Sequence, residues 1–217
     1  ETAIGPNEQI PREKYKFNEK IKLYVVEVKN TSKGAQIIVS RTHPGLVKRL
    51  FELEVPEIYE GVVEIKSISR EAGSRSKIAV ISHDENVDPM GACVGPKGSR
   101  VQNIVNELKG EKIDIIKWSK NPEEFIASSL SPAKVLSVTV DEENKSAKVV
   151  VDDNQLSLAI GKEGQNVRLA AKLTNWKIDI KSVSQMQAEM EAINWKTDIK
   201  SKSQAEAAQE TTETIEE

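Results

Sequence analysis

The chain has 217 residues, of which 38% are hydrophobic and 30% charged, with a net charge of −3 and one cysteine. This composition allows packed cores under a solvated surface and excludes an internal disulfide framework. No apolar run reaches bilayer length, and the start lacks the basic and apolar regions of a secretion signal.

The lone Cys93 fits a reducing, cytoplasmic setting. The sequence opens without Met, which points to a piece of a larger protein. Five of the 34 acidic residues fall in 204–217, which carry no basic residue. The remainder is near neutral, so a nucleic-acid site would have to be a local patch helped by backbone N–H groups.

In chain order, residues 20–28 alternate as a strand, with Ile21, Leu23 and Val25 opposite Lys22, Tyr24 and Val26. A turn at 30–34 leads into a second strand at 35–40, making a β-hairpin. Leu46, Leu50 and Leu53 give 44–55 a helical face. Strands are expected at 62–68 and 77–81 around a turn at 70–74. A helix should open at Asp88-Pro89, an N-cap followed by the residue favoured at the first helical position. It runs into Gly95-Pro96-Lys97-Gly98. A second helix follows, with Val101, Ile104, Val105 and Leu108 on one face. Ser99 and Gln102 have capping-box spacing. Gly110 ends this helix, and 112–118 is a strand.

The same order then recurs. A helix at 122–130 precedes strands at 135–140 and 147–151. A short helix from about Asn154 reaches Gly161-Lys162-Glu163-Gly164. The next helix places Val167, Ala170 and Ala171 on one face, and 177–181 closes the unit. The glycine loops are offset by 66 residues, and both units close on Lys-Ile-Asp-Ile, at 112–115 and 177–180. Such regularity indicates two domains of one fold. The connection at 119–122 is short, so the two should pack rigidly. A shorter echo of 175–182 occurs at 194–201, without a glycine loop before it.

Helix, Gly-x-x-Gly, helix is the chemistry-bearing pattern. Two glycines let a sugar–phosphate backbone approach the main chain. The following helix offers unpaired N–H groups and the positive end of its dipole, which favour phosphate. Lys97 and Lys162 lie in the loops, while Arg100 and Arg168 follow in the first turns. Glu163 cancels the charge of Lys162, so the second loop is expected to grip less strongly. A lone Gly-x-x-Gly is usually only a helix–helix turn; its repetition in one order of elements is what gives it weight. A nucleotide-binding P-loop is rejected, because the Gly-x-x-x-x-Gly-Lys order is missing.

Val94-Gly95-Pro96-Lys97-Gly98-Ser99-Arg100-Val101 and Ile160-Gly161-Lys162-Glu163-Gly164-Gln165-Asn166-Val167 resemble the KH domain, whose GXXG loop clamps single-stranded backbone. By this likeness Val94 and Ile160 should anchor one helix of each unit, and Val101 and Val167 the other. More widely, the run from Arg41-Thr42-His43-Pro44 to Pro56-Glu57-Ile58, together with Asp88–Gly95 and Gly164–Ala170, resembles the NusA family over about 1–184. The resemblance implies an α+β chain, a partial OB-type β-barrel followed by two tandem type II (prokaryotic) KH domains. The expected bounds are 1–42 for the incomplete barrel, 43–119 and 120–184 for the KH domains, and 185–217 for a tail with an acidic end.

The implied function is that of the RNA-binding module of a transcription factor acting on pausing, termination and antitermination. The implied partners are single-stranded nascent RNA and, in the full-length protein, RNA polymerase. No membrane, metal, cofactor or small-molecule substrate is implied, and a monomer is expected. The expected RNA contacts are Gly95, Pro96, Lys97, Gly98, Ser99 and Arg100 in the first unit. In the second they are Gly161, Lys162, Glu163, Gly164, Gln165, Asn166 and Arg168. Lys22, Tyr24 and Arg41 are candidates on the hairpin, where an OB surface stacks bases; ordinary surface-strand chemistry is the equal alternative.

Cys93 reads as a small packed side chain, and Trp118, Trp176 and Trp195 as core or seam residues. His43 and His83 lack partners at metal-ligand spacing. The rival reading is a protein-interaction scaffold docking on RNA polymerase or ribosome with vestigial loops. No residue cluster suggests an enzyme.

Overall fold

The computed structural model describes residues 2–11, 13–32, 34–192 and 195. The echo at 194–201, apart from an exposed Trp195, and the acidic end lie outside them. Before residue 44 these residues hold a 3-10 turn at Pro6–Glu8 and an antiparallel hairpin, β1 (Tyr24–Thr31) and β2 (Gly34–Ser40). The hairpin starts later than the alternation predicts, because the residues before Tyr24 fold onto the next domain. Val25, Val26 and Val28 are exposed on its two-stranded sheet.

The first repeat comprises α1 (Pro44–Glu54), α2 (Pro56–Tyr59), β3 (Val63–Glu71), β4 (Arg75–Ser82), α3 (Pro89–Val94), α4 (Ser99–Glu107) and β5 (Lys112–Lys117). His43 caps α1, its Nδ1 accepting from the Gly45 N–H at 2.9 Å. The α1 core stripe is Leu46, Val47, Leu50 and Phe51. Leu53, expected on that face, is 70% exposed. The pairs Leu46/Leu50 and Val47/Phe51 set the stripe's centre, which leaves Leu53 on its flank at the last turn. The four-residue α2 was not foreseen. Its Pro56 starts a new turn as soon as α1 ends.

The second repeat comprises α5 (Pro122–Ser129), β6 (Val135–Asp141), β7 (Ser146–Val151), α6 (Asp153–Ile160), α7 (Gln165–Thr174) and β8 (Lys177–Ser182). A helical stretch at 183–192 follows. The sheets have orders β3-β4-β5 and β6-β7-β8. In each, the first pair is antiparallel and the second parallel. Leaving aside the short α2, each unit runs helix, strand, strand, helix, helix, strand, the α+β arrangement expected of type II KH domains.

One face of the first sheet is covered by α1, α3 and α4. Val63, Ile65, Ile78 and Val80 meet Leu46, Phe51, Cys93, Ile104 and Leu108 there. Each such side chain fully removed from water contributes roughly 1.5–3 kcal/mol. The second core gathers Ile126, Leu130, Ala147, Val149, Val151, Ala159 and Ala170 in the same way.

The other face of the first sheet is covered by the second repeat. Ala79 and Ile116 pack with Phe125 of α5 and Leu173 of α7, and Trp118 lies against Phe125 at 6.4 Å. Strand alternation turns Ser67 and Ser69 of β3 toward this face, where α7 contacts the strand. Small side chains there admit a helix close to the sheet. Lys77, fully buried, donates to Asp114 at 2.9 Å and across the seam to the Ser131 carbonyl at 2.8 Å. Trp176 is half-buried against the second core, with the Lys145 ammonium 4.7 Å from its ring.

Candidate nucleic-acid interface

Both glycine loops have the same backbone. Gly95 ends α3 at φ 73°, ψ 175°, and Gly161 ends α6 at φ 77°, ψ 169°. Lys97 and Glu163 follow in left-handed conformation at φ 52° and 54°. Gly98 and Gly164 are left-handed too and open α4 and α7. In both loops the second glycine's N–H donates to the first glycine's carbonyl at 3.1 Å. The next residue, Ser99 or Gln165, donates to the carbonyl of Pro96 or Lys162. These amides are spent inside the turn. A phosphate would therefore meet the ends of α4 and α7, the side chains there and the other N–H groups of each loop.

A side chain at the first glycine is barred in both loops. A β-carbon on Gly95 would lie 2.5 Å from Arg100 Cγ, and one on Gly161 would lie 2.8 Å from the Asn166 nitrogen. Arg100 and Asn166 occupy one position in the repeat and do one job. Arg100 Nη1 donates to the Ala92 carbonyl at 2.7 Å and to Glu57 at 2.9 Å. Asn166 Nδ2 donates to the carbonyls of Leu130, Leu158 and Ala159. Each ties the helix after the loop to the end of the helix before it.

The structure thus divides the predicted contacts. Pro96, Lys97, Ser99, Lys162 and Glu163 are exposed. Asn166 is only 5% exposed and is corrected to a core strut, and Arg100 is half-buried in its own ion pair. The capping box is absent: Gly98 caps α4 without a side-chain bond, and Gln102 donates to Asn106 instead. Val94 and Ile160, expected as anchors, are 37% and 36% exposed. They set an apolar surface directly beside each loop.

Gln165 and Arg168 reach toward the first domain, Gln165 half-buried and Arg168 still exposed. Gln165 Nε2 donates to Glu71 Oε2 and to Ser74 Oγ, both at 2.8 Å. Arg168 Nε donates to Glu71 Oε1 at 2.6 Å, and its Nη1 to the Glu163 carbonyl at 3.0 Å. The Arg168 hydrogen bond holds the Glu71 carboxyl below the usual range, against the opposing effect of its partial burial. Glu71 was not singled out in the sequence, because nothing near it in the chain announces a partner almost a hundred residues away.

The hairpin candidates are also redistributed. Arg41 is fully buried and is corrected to a structural anchor. It donates to Glu13 at 2.7 Å, to Glu107 at 3.0 Å and to the carbonyls of Lys22 and Glu107. Tyr24 stacks on His43, with ring centroids 4.5 Å apart, and packs on the first core. Lys22 precedes β1, and its N–H donates to Glu107. Cys93 is buried, and burial first, then the charge of Glu57, pushes its thiol up to about 12. Among the described residues no group of acidic, histidine or cysteine side chains could hold a metal ion, and no helix is long and apolar enough to cross a membrane.

Two such units, each with Gly-x-x-Gly between paired helices, define a tandem KH-domain protein. Residues 41–118 match the NusA-like first KH domain and residues 122–188 the NusA-like second KH domain. The chain belongs to the NusA family. Its relatives include the transcription termination/antitermination protein NusA of Halalkalibacterium halodurans, 65% identical over 187 residues, covering 86% of this chain and 49% of the relative. That of Bacillus subtilis is 66% identical over 182 residues, 84% and 49%. That of Thermus thermophilus is 51% identical over 200 residues, 88% and 52%. The chain thus spans about half the length of these relatives.

Proposed function

We propose that this chain grips single-stranded, nascent RNA through its two GXXG loops, as part of a cytoplasmic transcription factor that acts on pausing, termination and antitermination. RNA polymerase is the partner of the full-length protein. The observation that carries this reading is the matched backbone of the two loops, each opening a helix and each preceded by an exposed apolar residue, Val94 or Ile160. A loop that only joined two helices would not need an exposed apolar step beside it. Phosphates would lie along α4 and α7 at their starts, with bases on the apolar step.

The test replaces Pro96-Lys97 and Lys162-Glu163 by Asp-Asp. These exposed positions should leave the fold intact while repelling phosphate. Affinity for a single-stranded RNA of about a dozen nucleotides should collapse. Unchanged affinity would instead support the scaffold reading, which Leu53 and Tyr59, 70% and 82% exposed on the α1–α2 corner, favour as a protein-docking surface.

A further inference from the structure

The second loop differs from the first in what its charges face. In the first, Lys97 is exposed and no ion pair engages it among the described residues. In the second, Lys162 stands beside Glu163, and the remaining cation, Arg168, is held by Glu71 of the other domain. Both Glu71 oxygens are engaged, one by Arg168 and one by Gln165, so a single carboxylate of the first domain grips the start of α7. Arg168 is nevertheless 46% exposed, and Glu71 24%. A phosphate can reach the guanidinium without dismantling the core.

We propose that Glu71 is an internal competitor for RNA phosphate at Arg168, so that the first KH domain sets how strongly the second one grips. The inference rests on the RNA-binding reading above and deepens it. A carboxylate and a phosphate diester make the same kind of charge-assisted contact with a guanidinium. While Glu71 holds Arg168, Lys162, Glu163, Arg168 and Glu71 together carry no net positive charge, and Lys172, whose charge Glu71 also feels, is the next cation along α7. When RNA already held at the first loop brings a phosphate to α7, the phosphate displaces Glu71 from Arg168. The tether raises the local phosphate concentration enough to win that exchange. Glu71 is therefore a positioning residue: it touches no RNA and acts through Arg168. RNA long enough to reach both loops engages the second, while shorter RNA leaves it shut.

The experiment measures binding of a labelled 12-nucleotide single-stranded RNA to the full chain across a salt series. It compares the unaltered protein with E71Q, R168M and the double variant. Glu71→Gln is isosteric and keeps an acceptor for Gln165, and a thermal melt checks the fold. Removing one exposed competitor should tighten binding by roughly two- to fivefold. The log–log salt slope should stay close to that of the unaltered chain, because the same phosphates are held once Glu71 is displaced. In the R168M background the E71Q gain should vanish.

Three results overturn the proposal. One is weaker or unchanged binding by E71Q. Another is a gain equally large with and without Arg168, which makes Glu71 a mere background charge. The third is a melt showing that E71Q unfolds, which makes Glu71 a structural strut. Failure of the unaltered chain to bind RNA in a salt-dependent way is a separate outcome: it removes the functional reading and this inference with it.

Discussion

Arg100 and Asn166 are chemically unlike, yet each donates its side-chain N–H to carbonyls at the end of the helix that precedes its glycine loop. The two repeats have solved one problem, the open carbonyl end of a short helix, with different residues. Asn166 does it without charge and is nearly inaccessible. Asn166→Ala should therefore destabilise the protein by about 1–3 kcal/mol, through carbonyls left unpaired in the interior. Urea unfolding checks it, and RNA affinity measured well below the midpoint should change little.

Lys97 and Glu163 share one backbone position with opposite charge. Lys97→Glu should weaken RNA binding and flatten its salt slope by about 0.7. Glu163→Lys should do the reverse. Because a lysine already occupies the same left-handed conformation in the first loop, the second exchange brings no new backbone strain. A filter-binding titration at several salt concentrations reads both.

Two carboxylates give the pH dependence. Burial would raise the pKa of Glu13, but hydrogen bonds from Arg41 and Tyr15 and the Arg41 charge outweigh it and leave the group below its ordinary 4.5. Asp114 is likewise raised by burial and, on balance, lowered by Arg75 and Lys77 from its ordinary 3.8. Folded values below unfolded ones mean stability that is complete above the ordinary carboxylate range and is lost as pH falls through the folded values. The melting temperature should hold from pH 7 to about 5 and drop below about 4. Glu13→Gln should cost about 3 kcal/mol at pH 7, since it leaves the buried Arg41 with one fewer anion, and should soften the acid drop.

The Cys93 thiol, buried and pushed up to about 12, should be inert to a thiol reagent at pH 8 in the native chain. It should react at once in denaturant. Rapid native labelling would mean that α3 opens readily under the first loop.

Much of the fold was readable in the chain. The Asp88-Pro89 cap is present, its carboxylate accepting from Met90 and Gly91, and both glycine loops stand where the repeat put them. Local signals of this kind act within a few residues, so they survive folding. Arg41 was misread because alternation reports that a segment is extended, not what lies over it. Its partners Glu13 and Glu107 are brought together only by the tertiary fold. Gln165 and Arg168 have their acceptor Glu71 on the other domain, a partner that no local pattern reports. Asn166 was legible in principle: lining it up with Arg100 across the repeat would have suggested a shared structural task.

The roof that α5 and α7 place over Ala79 and Ile116 makes the two repeats one physical object. A product severed at Ser119 would carry an oily slab open to water, with the Lys77 ammonium robbed of its Ser131 carbonyl, and would be drawn into clumps or handed to proteases. Shuffling a single repeat into another gene would inherit that handicap, so this pair is expected to be exchanged whole or not at all.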